Sequence, residues 1–374
     1  MNKQISICIF QSSFLGGGVE KMMVYLANNF SKRGYKVDLI VVKNEGPYKK
    51  IIDAKVNVID LNKKKTSLSI FKLSNYLRHK RPDVLLSASH DINIVACFAN
   101  FLSLTKTRHV ASVRSITSLN LPNQNNFFMN YIFKILIKMM YPKVYKIIAV
   151  SNDIKKDLIY NYNLNQEKIV VIPNMVDFGI LKKLNIYEKR DLYDSCFTDG
   201  NYNSPIVISA GSLIKVKNFS FLVNSFSLVV EKCKKAKLII LGEGPERINL
   251  ELLVDKLGLH HNVRLVGFRE NLLEYMQLST VFVSTSIHEG FGNVIIEAMS
   301  VGLPIIVTDC PGGPKEIVDN GLYGKIVSLD NKEKLASEIL ITFTSKHDTN
   351  LVIERSKQFS SEIITEKYIE MLLN

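Results

Sequence analysis

Short apolar runs alternate with helical stretches along almost the whole of this chain, and the alternation starts twice. ISICIF (5–10) and KVDLIVV (36–42) read as buried strands, joined by a helical EKMMVYLANNFSKRG that stops at Gly34. DVLLSAS, HVASV, KIIAVS and KIVVIPN continue the series. The segment 173–205 is polar and shows no clear period. The series then restarts with PIVISAGS, KLIILGEG, VRLVGF, VFVSTS and PIIVTD, each followed by a helical pattern. Strands that are apolar throughout, rather than alternating, are buried on both faces, which implies parallel sheets covered by helices. The restart implies two doubly wound α/β domains, 1–178 and 179–355. Ligands of such folds bind at the carboxyl ends of the strands, here expected in a cleft between the two domains.

At 374 residues and 47% hydrophobic, the chain can bury two ordinary cores. Its five cysteines are scattered, odd in number and without a C-x-x-C pair. That argues for a reducing cytoplasm and against a metal site or a disulfide framework. The opening MNKQISICIF is too quickly interrupted to be a signal peptide, and no run reaches the roughly 18 apolar residues of a membrane span. The expected location is cytoplasmic, either free or peripheral on the inner face of the membrane. The charge of +13 is uneven: residues 1–178 carry 26 Lys and Arg against 11 Asp and Glu, and the remainder 22 against 24. A basic first domain suits an anionic partner.

One motif carries most of the chemistry. SIHEGFGNVIIEAMSVGLPII (286–306) holds Glu289 and Glu297 around a Gly-Phe-Gly. On one unbroken helix the two carboxylates would stand roughly 12 Å apart along the axis, beyond the separation of about 5–9.5 Å in glycosidase pairs. Gly290 and Gly292 suit a strand-to-helix turn instead, with Glu289 in the loop and Glu297 in the helix. The helix start between them, around Asn293, is a seat for phosphate. An extended ligand with hydroxyls at both ends and phosphate in the middle, a sugar nucleotide, fits that layout. Glu297 lies among Val294, Ile295, Ile296, Ala298 and Met299, and a carboxylate in so apolar a setting is costly without a partner.

Nearly end to end, the chain resembles a family 4 retaining glycosyltransferase of the GT-B fold, two Rossmann-like domains facing a cleft, which implies that a C-terminal helix over 356–374 packs back on the first domain. The likeness is carried by GGGVEKMMVYLANNFSKRGYKVDLIVV, IIAVSNDIKKDLI, ISAGSLIKVKNFSFLVNSFSLV, LIILGEGPERINLELLVDKLGLHHNVRLVGF and STSIHEGFGNVIIEAMSVGLPIIVTDCPGGPKEIV. The resemblance implies that Glu289 contacts the transferred sugar, Glu297 accepts ribose hydroxyls and Lys217 meets the donor diphosphate. It implies a nucleotide-sugar donor carrying UDP or GDP, a glycan or polyprenyl-linked acceptor held by the first domain, and no cofactor or metal. Retention without a covalent nucleophile then proceeds by front-face substitution, the leaving phosphate oxygen taking the acceptor's proton, with the protein supplying charge and position.

Other positions follow the family's pattern less closely. Ser212 stands where most relatives carry an arginine, and Lys215 is the nearest substitute, although an ammonium lacks arginine's bidentate fork. Arg114 occupies a place near the reacting sugar that many members give to histidine; His109 is the fallback. Gly17 and Gly18 are expected to let backbone approach the diphosphate. Gly244 and Phe268 are expected to wall the nucleotide, and Phe291, with Gly290, Gly292 and Asn293, to contact the donor.

The segment 126–146 reads as one helix with lysines at 134, 138, 143 and 146, either a core helix with a solvated edge or a helix lying on anionic lipid. A nicotinamide-dependent dehydrogenase would want G-x-G-x-x-G after its first strand, which GGGVEK does not supply. A nucleic-acid partner is not expected, since arginine makes up only 10 of the 48 basic residues and the aromatics form no stacking pattern. The alternative from another class is a degenerate transferase fold that binds a sugar nucleotide, or scaffolds partner enzymes, without turnover.

Overall fold

The computed structural model describes residues 4–15, 17–120, 127–177 and 184–373. The chain forms two compact units: residues 1–177 with 359–374, and residues 178–358. The expected boundary at 178 lies outside the described residues, as does residue 126 at the start of the expected basic helix.

In the first unit the elements run β1 (Ser6–Gln11), α1 (Gly18–Lys32), β2 (Lys36–Val41), β3 (Asn57–Asp60), α2 (Ile70–Lys80), β4 (Val84–Ala88), α3 (His90–Ser103), β5 (Arg108–Val113), α4 (Phe127–Met140), β6 (Lys146–Ala149), α5 (Asn152–Tyr162) and β7 (Ile169–Val171). The sheet is parallel, in the order β3-β2-β1-β4-β5-β6-β7. The inner strands are almost wholly buried because helices cover both faces, while the edge strands β3 and β7 are only partly so. One face packs Ile7, Ile9, Leu39, Val41 and Leu86 against α1. The other packs Cys8, Phe10, Ile40 and Leu85 against Leu73, Leu77, Ile92 and Val95 of α2 and α3.

The second unit follows the same plan: α6 (Ile186–Asp194), β8 (Ile206–Ala210), α7 (Phe219–Lys232), β9 (Lys237–Leu241), α8 (Arg247–Lys256), β10 (Val263–Gly267), α9 (Leu272–Leu278), β11 (Val281–Ser284), α10 (Asn293–Ser300), β12 (Ile305–Thr308), α11 (Pro314–Ile317), β13 (Lys325–Val327), α12 (Lys332–Thr344) and α13 (Thr349–Lys357). Its parallel sheet has the order β10-β9-β8-β11-β12-β13. The final helix, α14 (Ser361–Leu373), belongs to the first unit, where Ile364, Tyr368, Ile369 and Leu372 join the α1 side of the core.

The structure departs from the sequence expectations in two segments. The polar stretch after β7 contains α6, opened by a capping box in which Asn185 and Glu188 satisfy each other's backbone donors. The expected helix over 126–146 stops at Met140. Pro142 lies in a short turn over Tyr141–Lys143, and Lys146 opens β6. The four lysines therefore do not share a helix: Lys134 and Lys138 lie on α4, while Lys146 donates to the Glu167 carbonyl at 3.0 Å.

Two histidines of the first unit titrate low, His109 fully buried and His90 half-buried. His109 meets Ser87 Oγ through Nε2 at 2.8 Å and Cys97 Sγ through Nδ1 at 3.4 Å, and burial pulls its pKa down to about 3. His90 meets the Tyr141 hydroxyl at 3.2 Å, and burial, opposed by Asp91 and Asp157, brings its pKa to about 4. Both are neutral in the folded chain and titrate near 6.5 when it unfolds. Their contribution to stability is complete above about pH 6.5. It is lost as the pH falls toward 4 and then 3, by about 1.4 kcal/mol per pH unit for each histidine. Calorimetry between pH 4.5 and 7.5 should show a steeper acid decline of the melting temperature for the wild type than for His109→Gln. Equal slopes would contradict a neutral buried His109.

Candidate donor site

In the second sheet the strand order reverses between β8 and β11, so the loops after these neighbouring strands diverge and leave room at their carboxyl ends. The loop after β8 carries Lys217 in a tight turn over Lys215–Lys217, closed by Asn218 in the left-handed conformation. The loop after β11 carries Glu289. The two loops are tied together: the Ile287 N–H donates to the Val216 carbonyl at 2.8 Å, and Thr285 Oγ1 donates to the Lys217 and Asn218 carbonyls, each at 3.1 Å. This bracing brings the Lys217 ammonium onto the Glu289 carboxylate as an ion pair, and Ser286 Oγ donates to the same carboxylate oxygen at 3.3 Å. The pair is partly enclosed, with side-chain exposures of 21% and 19%.

Glycines let these loops approach each other. Gly211 turns at φ +155, and a Cβ there would come within 3.3 Å of Lys217 Cε. Gly312 lies under Glu289, where a Cβ would stand 1.7 Å from the Glu289 carbonyl oxygen. Glu289 is loop and Glu297 is helix, as the spacing predicts, and Gly292 makes the turn at φ 104 as the N-cap of α10. No side chain caps that helix start. Glu297 is half-buried between Ile296 and Ala298, both fully buried.

The remaining expected residues are distributed around this pair or away from it. Ser212 and Lys215 are exposed in the Lys217 loop. Gly244 packs on the backbone of Leu213, where a Cβ would lie 2.4 Å from that carbonyl oxygen. Phe268 follows β10 and is 68% exposed, whereas Phe291 is buried with its backbone against Gly313. Gly290 is half-buried in the loop, and Asn293 opens α10.

Arg114 is engaged inside the first unit. It is buried after β5, donating to Asn174 Oδ1 at 2.5 Å and to the Tyr368 hydroxyl at 3.0 Å, and so ties α14 to the first sheet. His109 is likewise a core residue. Gly17 is the extended N-cap of α1 and Gly18 its first residue. The carboxylate of Glu20 turns back over this helix start, held by Ser12 Oγ at 3.2 Å. Ser286, Thr285 and Gly312 were not expected at the site. DCPGGP carried a signal for Gly312, since adjacent glycines mark a close backbone approach.

His288 stands beside the pair, where burial lowers its pKa, Glu289 raises it and Lys217 lowers it again. Among the described residues, no group of three or more His, Cys, Asp or Glu is arranged to hold a metal ion.

Known proteins resemble this chain over both units. A model described as "Glycosyl transferases group 1" matches residues 198–359, and one described as "Glycosyltransferase Family 4" matches residues 16–179. The N-acetylgalactosamine-N,N'-diacetylbacillosaminyl-diphospho-undecaprenol 4-alpha-N-acetylgalactosaminyltransferase of Campylobacter jejuni is 27% identical over 87% of this chain and 87% of its own. The capsular polysaccharide biosynthesis glycosyltransferase CapM of Staphylococcus aureus is 24% identical over 91% and 90%. Anabaena Alr3699/HepE, solved in complex with UDP and glucose, superposes with a TM-score of 0.82 at 20% identity, covering 99% of this chain and 100% of that one. The last likeness shows the GT-B fold. With one glycosyltransferase model over each unit and full-length relatives of the same class, the chain is a glycosyltransferase of the GT-B fold.

Proposed function

We propose that this protein is a retaining, metal-independent hexosyltransferase. In this reading it moves a sugar from a UDP- or GDP-sugar to a glycan or polyprenyl-linked acceptor during bacterial envelope polysaccharide assembly, working peripherally at the inner face of the membrane. The observation that carries the reading is the Lys217–Glu289 pair at the reversal of the second sheet. The names of the relatives support the acceptor class, and the UDP complex of the Anabaena protein supports the donor class.

In the proposed reaction the donor's diphosphate draws the Lys217 ammonium from Glu289, which then takes a hydroxyl of the transferred sugar. The bond between the anomeric carbon and the phosphate oxygen breaks with its electron pair leaving on the diphosphate. Lys217 and the N–H groups at the start of α10 stabilise that charge. The acceptor oxygen forms its bond to the same face of the carbon, and its proton passes to the departing phosphate oxygen. Glu297 holds the ribose.

This division of labour can be measured. A thermal-shift screen of UDP-, GDP- and ADP-sugars identifies the donor, since a ligand that binds only the native state raises the melting temperature. Isothermal titration should then show Glu297→Gln weakening both the free nucleoside diphosphate and the intact donor. Glu289→Gln should weaken the intact donor far more than the bare diphosphate. Identical profiles for the two variants would refute the assignment.

A further inference from the structure

The first unit carries an outer face that is apolar and cationic at once. On α4, Phe128, Tyr131, Ile135 and Met139 are exposed, and their spacing of three to four residues puts them on one stripe. Among the described side chains of α4, Ile137 and Met140 are the buried ones. Lys134 and Lys138 are exposed beside the stripe. α3 packs against α4, and at its end Phe101 and Leu104 project outward, Leu104 to 87% exposure. Leu104 closes α3 in the left-handed conformation, φ 54, an uncommon place for a large apolar residue. The Lys143 ammonium sits over the Phe101 ring at 4.9 Å, joining the end of α3 to the turn after α4.

The charge of this face is of one sign. Between Asp91 and Asp153 the sequence contains no Asp or Glu. Lys106, Lys134, Lys138 and Lys143, all within that interval, are exposed. An ordinary soluble surface mixes both signs and scatters its apolar residues singly. A protein partner that covered this stripe would have to meet four lysines with acidic groups of its own. An anionic bilayer satisfies both halves of the pattern: aromatic and aliphatic side chains enter the interface while lysines stay at the level of the phosphates.

We infer that α4, the turn after it and the end of α3 form a face that docks on anionic lipid, with Phe101, Leu104, Phe128 and Met139 inserted and Lys134, Lys138 and Lys143 among the headgroups. The inference builds on the lipid-linked acceptor proposed above and names the surface that brings the protein to it. No helix among the described residues is long and apolar enough to cross the membrane, so this contact is interfacial.

The test is co-sedimentation of the full chain with vesicles of phosphatidylglycerol and phosphatidylethanolamine, against vesicles of phosphatidylcholine alone, over a range of salt. Binding is expected only to the anionic vesicles and should fall as salt screens the lysines. The triple variant Lys134→Gln, Lys138→Gln, Lys143→Gln should bind at least about tenfold more weakly, since each lysine near such a surface contributes about 1 kcal/mol. Phe101→Ser with Leu104→Ser, and separately Phe128→Ser with Met139→Ser, should weaken binding while leaving the salt dependence in place. Melting curves and titration with the donor identified above are run on every variant. Loss of vesicle binding with donor binding intact supports the face. Wild-type affinity in all three variants, or equal recovery on neutral and anionic vesicles, overturns it. A wild-type dimer that ignores vesicles and is split by Phe128→Ser with Met139→Ser overturns it in favour of a second copy. Failure of the glycosyltransferase reading shows separately, as absence of donor binding in the wild type.

Discussion

Replacing Lys217 by alanine is expected to lower kcat/KM for sugar transfer by about 100-fold or more, because removing one group aimed at developing charge costs roughly 10²–10³ in rate. Glu289→Ala should cost at least about tenfold, or 1.4 kcal/mol. The reason lies in the coupling of the two side chains. Without donor, each neutralises the other in a partly enclosed loop junction. In the proposed donor complex, the same lysine meets the diphosphate and the same carboxylate is left facing the sugar. Either single variant therefore leaves a charge without its counter-ion in the free protein as well as removing a contact in the complex. The double variant Lys217→Met with Glu289→Gln separates the two effects. It should recover most of the melting temperature lost by the singles and recover none of the activity. Transfer at wild-type rate by any of the three, measured as nucleoside diphosphate release with the donor found by thermal shift, would remove the pair from the donor site.

The parts of this site that could be read in the sequence are those encoded locally. Strands buried on both faces leave continuous apolar runs, and all five runs of the second half became strands of its sheet. Glu289 and Glu297 were separable because two glycines between them forbid one helix, and the turn is made by Gly292 at φ 104. Elements defined by distant partners were not legible. Arg114 looked like a phosphate ligand after a strand. Its hydroxyl partner Tyr368 lies 254 positions away on a helix that returns to the first unit. The helix over 126–146 was drawn too long because its apolar period runs past Pro142 into the strand that begins at Lys146. Helix α6 escaped because its 3.6-residue period is weak, although its capping box was present in the sequence as Asn185 and Glu188.

Gly312→Ala should be among the most destabilising single methyl additions in the second unit, by at least about 3 kcal/mol. At φ +122 the residue holds a backbone conformation that side chains rarely adopt, and the added carbon would lie 1.7 Å from the Glu289 carbonyl oxygen. Neither loop can easily yield. The Glu289 N–H is bonded to the Pro311 carbonyl at 3.0 Å, and at the next position a Cβ on Gly313 would meet the Phe291 backbone oxygen at 2.5 Å. The clash therefore pushes directly on the residue proposed to hold the sugar, and both stability and donor affinity should fall. For a unit of this size the loss corresponds to a drop of roughly 6–12 °C in its melting temperature. Gly18→Ala is the matched control. The change is chemically the same, but Gly18 is the first residue of α1, has no heavy atom within 4 Å of the added carbon and is not in the left-handed region. Its stability should stay level or rise by up to about 1 kcal/mol. If Gly18→Ala nevertheless weakens donor binding, backbone approach at α1 is the cause, because the fold has given no other penalty. A Gly312→Ala variant that melts with the wild type would mean that the 288–292 and 310–314 loops are not interlocked, and that Glu289 owes its position to the Lys217 pair alone.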